Sequence, residues 1–183
     1  MSVTDNLELT AFDGAQVEGE PPMVYGLDDA YNCGCFCATP PARFQKLGID
    51  PAGTTFACFR SGWNGIPGGN VRDFDWIATA VGPDGQLHCE LVAEWPTELL
   101  VLATVCGFAE YYGFVAAVPG EVAVLDVPLA PGTPVWIVLT PSPYVDPGFG
   151  LPLEYDLHLT IEGQATTTAN ETMSWGALKA AYR

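Results

Sequence analysis

Residues 153–162, LEYDLHLTIE, alternate between apolar and polar side chains over ten positions without an error. Leu153, Tyr155, Leu157, Leu159 and Ile161 fall on one side of an extended chain. Glu154, Asp156, His158, Thr160 and Glu162 fall on the other. A helix, with a period of 3.6, would scatter both sets around its axis, so this is a strand with one packed face and one wet face. QLHCELVAE (86–94) alternates in the same way, with Leu87, Cys89, Leu91 and Ala93 inward. Further strands are expected at 54–60, 73–80, 111–118 and 121–127. LLVLATV (99–105) and VWIVL (135–139) are apolar on both faces, which suits central strands. Gly- and Pro-rich turns at 82–85, 119–120, 130–134 and 141–148 separate these runs. About eight short strands at this spacing predict an all-β chain, an antiparallel β-sandwich or jelly roll.

The pattern also divides the chain. Residues 1–31 are acidic and carry one short alternating stretch, LELTAF (7–12), read as an extended arm, with an ordinary first strand of the domain as the plainer reading. Residues 32–163 form the sandwich. Residues 164–183 are a polar Thr/Ala linker and a short tail, SWGALKAAYR, with Trp175, Leu178 and Tyr182 at i, i+3 and i+7. No apolar run approaches the roughly 20 residues that span a bilayer. Twenty-two acids against six bases give a net charge of −16, a surface that repels phosphate backbones and argues against nucleic-acid partners.

Six cysteines must be placed: Cys33, Cys35 and Cys37 within NCGCFC, and Cys58, Cys89 and Cys106 in separate strands. Structural zinc takes cysteines as C-x2-4-C knuckles, and the C-x-C spacing lacks them. A disulfide framework in an exported protein fits an even count in a β-rich acidic chain. Six cysteines allow 15 pairings. The favoured ones are Cys89–Cys106, between neighbouring strands, and Cys37–Cys58. The two thiols left over either close on each other or reach another chain. The expected compartment is extracellular or the cell surface, although MSVTDNLELT lacks the basic and apolar regions of a signal peptide.

Catalytic chemistry finds little support. None of the four serines lies in a G-x-S-x-G elbow, and His88 and His158 both fall on the wet side of their strands. Asp73 and Asp75, at a strand start, are a candidate calcium pair, because hard cations favour clustered carboxylate oxygens. The plainer reading is solvated surface charge. Trp63, in the glycine-rich loop SGWNGIPGGN (61–70), with Asn64 and Asn70, makes a candidate sugar platform: an aromatic face for stacking and amides for hydroxyls. The plainer reading folds Trp63 back over the sandwich edge.

Three ordered motifs resemble the bacterial pre-peptidase C-terminal domain family across roughly residues 40 to 163. Arg72-Asp73-Phe74-Asp75-Trp76 looks like the family's Asp-x-Asp-aromatic strand start. Residues 130–138, APGTPVWIV, are similar to its Ala-Gly-Thr-aromatic strand, although Pro134 interrupts the motif. Residues 154–160, EYDLHLT, match its closing strand. The resemblance implies a secreted, non-catalytic β-sandwich of jelly-roll type that assists secretion, targeting or polymer binding, sometimes with calcium.

Together these readings predict an exported, non-enzymatic structural or assembly protein that needs no cofactor beyond a candidate calcium ion. Self-association runs through the arm: Leu7, Leu9 and Phe12 add a strand to a neighbour's sheet edge, a head-to-tail contact that propagates as a filament. The alternative is an extracellular polysaccharide-binding module using Trp63.

Overall fold

The computed structural model describes residues 15–24, 31–37, 41–63, 72–106, 110–142 and 153–165. Among them there is no helix; nine strands run β1 (Gln16–Val17), β2 (Thr55–Trp63), β3 (Asp75–Ala80), β4 (Gln86–Ala93), β5 (Thr97–Ala103), β6 (Tyr111–Ala117), β7 (Ala123–Pro128), β8 (Pro134–Pro141) and β9 (Leu153–Glu162). They form a five-stranded sheet, β1-β2-β9-β4-β7, and a four-stranded sheet, β3-β8-β5-β6. Every pairing between strands is antiparallel except β1 with β2. The expected β-sandwich is therefore the observed one, and no helix among the described residues is long and apolar enough to cross a membrane.

The alternating residues do what their pattern requires. Leu87, Cys89, Leu91 and Ala93 of β4 and Leu157, Leu159 and Ile161 of β9 point into the space between the sheets. There they meet Leu99 and Val101 of β5 and Ile137 and Leu139 of β8.

A second apolar cluster lies on the far side of the four-stranded sheet. Phe74, Trp76, Leu102, Trp136 and Val138 pack there beneath a strap that includes Cys35 and Phe44. Phe44 stacks on Trp136 with ring centroids 4.7 Å apart. The strap also occupies the backbone edge of β3: Trp76 N–H donates to Asn32 O, Gln45 N–H to Trp76 O, and Ala78 N–H to Gln45 O. An edge covered in this way cannot recruit another chain.

The cysteine pairing differs from the expected one. Cys33 joins Cys37 and Cys35 joins Cys106, while Cys58 and Cys89 are free. Cys89–Cys106 fails because β4 and β5, adjacent in sequence, belong to different sheets; Cys89 lies in the central core and Cys106 follows the end of β5. Burial pushes the Cys89 thiol up to about 12. Cys37–Cys58 fails because Cys58 faces outward on the five-stranded sheet, away from the strap. The CGCFC run is a turn rather than a strand, with Phe36 N–H donating to Cys33 O at 2.9 Å, so Cys33 and Cys37 converge while Cys35 is left to reach Cys106. Gly34 makes this possible. Its φ is +49°, and a Cβ there would lie 2.2 Å from carbons of the Trp76 indole.

Residues on either side of the expected sandwich also bond to it. Gln16–Val17 pairs in parallel with Ala57–Cys58, so this part of the arm folds onto the chain's own sheet. It occupies the outer edge of β2 along these residues. Leu7, Leu9 and Phe12 lie outside the described residues, as does the tail. Gln164 is buried and bonded to Thr55 and Thr79, so the sandwich runs past residue 163 to Ala165.

Candidate metal centre

The arm returns to the sandwich at Glu18-Gly19-Glu20. Glu18 N–H donates to Cys58 O, continuing the β1 pairing, and Glu18 Oε1 accepts the Arg60 N–H at 2.6 Å. Tyr31 Oη and Gln45 Nε2 both donate to Glu18 O. These bonds hold the segment against the start of β3, where Asp75 is wholly buried.

Carboxylate oxygens of Glu18, Glu20 and Asp75 all lie within 4.8 Å of one another. Asp73 is buried beside them, its backbone fixed by Asp73 N–H to Gly62 O and by the Thr140 hydroxyl donating to Asp73 O. Asn32 positions Asp75. Its Nδ2 donates to Asp75 Oδ1 at 2.9 Å, while its own amide oxygen is buried without a partner, as is Asp75 Oδ2. Burial, then the neighbouring charges of Asp73, Glu18 and Glu20, push the Asp75 carboxyl well above the usual carboxylate range. A buried carboxylate oxygen without a partner, as Asp75 Oδ2 is, is costly in a low-dielectric site, and a proton or a cation relieves that cost.

The donor chemistry selects among cations. The three groups within reach of one another, Glu18, Glu20 and Asp75, offer only carboxylate oxygens. Calcium takes 6–8 oxygen ligands, mono- or bidentate, in flexible geometry, whereas zinc prefers nitrogen and sulfur. The residues present fit calcium.

Asp73 and Asp75 thus belong to a buried cluster, not to the solvated surface. Glu18 and Glu20 escaped the sequence reading because the arm looked uniformly acidic. The available signal was Glu-Gly-Glu followed by Pro21-Pro22, two acids around a flexible hinge at a point where a strand must stop.

Trp63 is not a platform. It points inward at the end of β2, wholly buried, edge-on to Trp95 at 5.6 Å and tilted against Tyr155 at 6.0 Å. The inward register of β2 decides this, since Ala57, Phe59, Ser61 and Trp63 share one face. Asn64 and Asn70 lie outside the described residues.

His158 is buried too, contrary to its wet position in the alternation. It faces outward from the five-stranded sheet, opposite Cys58, and helps line a pocket of about 230 Å³ with Val17, Glu18, Arg60 and Asp156. Burial and then Asp156 push the Cys58 thiol up, the opposite of what activates a cysteine nucleophile. Neither a family model nor a curated relative matches the chain.

Proposed function

We propose that this chain is an exported, non-catalytic structural building block that self-associates, a sandwich of jelly-roll type whose N-terminal segment is fastened by calcium. The observation that carries the reading is the buried oxygen cluster that Glu18 and Glu20 of the arm make with Asp75 of the sandwich. A cation there ties two distant parts of the chain together and contributes stability only when the arm is docked. Exposed regions of an exported protein meet millimolar calcium, and the two disulfides suit an oxidising compartment. The resemblance to pre-peptidase C-terminal domains supports the same reading. Carbohydrate binding is left without its aromatic platform once Trp63 is placed in the core.

Thermal denaturation of chelator-treated protein tests the cation. Adding calcium to about 100 times its dissociation constant contributes about 2.7 kcal/mol. For a chain of this size that raises Tm by roughly 5–10 °C. Asp75→Asn keeps the shape, removes the charge and should abolish the rise while leaving the calcium-free protein at least as stable as wild type. No shift at millimolar calcium, or an equal shift in the variant, would refute the site.

A further inference from the structure

The outward positions of β3, β8, β5 and β6 carry almost no charge. Trp76, Ala78, Trp136, Val138, Leu100 and Leu102 occupy its centre. The one acid there, Glu98, faces Arg72 at 3.6 Å. The strap covers only part of this surface. Phe36, Val105, Tyr111 and Phe114 remain about half exposed.

Among these side chains opens a pocket of about 210 Å³, lined by Cys35, Phe36, Trp76, Leu102, Val105 and Trp136. An apolar cavity of about 150 Å³ accepts benzene, and sites for whole small molecules begin near ~300 Å³. The pocket therefore suits one ring-bearing side chain. Its lining is almost wholly apolar, with two tryptophan side chains, Trp76 and Trp136, among the walls. The occupant that fits is an aromatic ring, and a tyrosine supplies one with its hydroxyl left free to face solvent at the rim.

Tyr111 is the most exposed large aromatic among the described residues, 61% exposed. It is paired in register with Leu102 and so stands on the rim of its own pocket. A knob and a hole on one face are what a two-fold, self-complementary contact requires. Charge selects the same surface. Copies each bearing −16 repel across most of their area and can approach closely only where charge is absent or paired.

We propose that two copies of this chain pair through the outer faces of their four-stranded sheets, each Tyr111 entering the other's pocket. The inference rests on the self-association in the reading above and assigns it a surface. Tyrosine in a desolvated pocket is a typical energetic centre of such contacts.

Analytical ultracentrifugation in calcium, from low micromolar to roughly 1 mM, tests it. Wild type should dimerise, more tightly as added salt screens the repulsion. Tyr111→Asp should be monomeric, and Val124→Asp, on the opposite face, should dimerise like wild type. Tyr111→Phe keeps the ring, so it should dimerise within about twofold of wild type. If Tyr111→Asp does not fold, Phe114→Glu on the same face provides the second variant. A wild-type monomer at the highest concentration overturns the self-association itself. Association that survives both face substitutions leaves self-association standing and overturns the assigned surface.

Discussion

The outer face of the five-stranded sheet carries Arg60, His88, Glu90, Asp126, Asp156 and Glu162, whereas the outer face of the four-stranded sheet carries two tryptophans and Leu102. Both sheets bury their inner faces in one core. The difference lies in what covers the outside. Water covers most of the first, and a disulfide-tied strap covers part of the second. Strands apolar on both faces are usually explained by a central position in the sheet. Yet β9, flanked by β2 and β4, is central and alternates cleanly, while β5 and β8 do not. β5 and β8 are the central pair of their sheet, as expected, so their second apolar face reports a covering layer in addition to a central position.

The comparison breaks first at Trp76, which anchors the strap through contacts with Phe36 and Phe44 and packs on Trp136 of β8. Trp76→Ala is expected to cost about 5 kcal/mol in urea denaturation, the upper end for a buried aromatic truncation. Val124→Ala on the opposite outer face is expected to cost less than about 0.5 kcal/mol. Similar losses at the two positions would mean that the strap is not a core layer.

Most of the fold was legible for one reason. The strand β9 begins and ends where its alternation does, and β4 differs from the expected 86–94 by one residue. Period two is a local signal and needs no knowledge of partners. What failed depends on which sheet a strand joins. Cys89 and Cys106 sit in consecutive apolar runs, and nothing in either run reveals that the chain changes sheet between them. The wet position of His158 failed similarly, since a covering segment cannot be inferred from alternation within the strand it covers. The candidate site was half legible. Asp73 and Asp75 stood out at a strand start, but Glu18 and Glu20 come from the far side of a long loop.

The two disulfides sharpen the same contrast at a smaller scale. Cys35–Cys106 spans 71 residues and ties the strap to the end of β5, while Cys33–Cys37 spans four. The chain-entropy model assigns about 4 kcal/mol to the first and about 2 kcal/mol to the second. Cys35→Ala with Cys106→Ala should therefore destabilise the protein about twice as much as Cys33→Ala with Cys37→Ala, measured as the free energy of urea unfolding. Equal losses would show that the longer loop brings no added stabilisation, and no loss at all from the Cys35/Cys106 pair would show that the strap is held by its aromatic packing alone.

The smallest effect belongs to the charged face and depends on pH. His88 Nδ1 lies 2.7 Å from Asp126 and Nε2 3.2 Å from Glu90, a ring held between two carboxylates on neighbouring positions of β4 and β7. The hydrogen bond to Asp126 and then that to Glu90 raise its affinity for a proton in the folded state, against a smaller opposing effect of burial. A raised folded value means that the folded protein holds the proton more tightly than the unfolded chain. The stabilisation is fully present below the unfolded value near 6.5 and is lost as pH rises through the higher folded value. Both carboxylates are about half exposed or more, so solvent screening keeps the contribution to about 0.5 kcal/mol. His88→Gln should therefore lower Tm by roughly a degree or two at pH 6 and leave it nearly unchanged at pH 9. Because the pair is exposed, the difference at pH 6 should also shrink in 1 M salt. A deficit that is constant across this range would mean that His88 contributes through packing, and that even the wet face of the molecule is held by contacts rather than by charge.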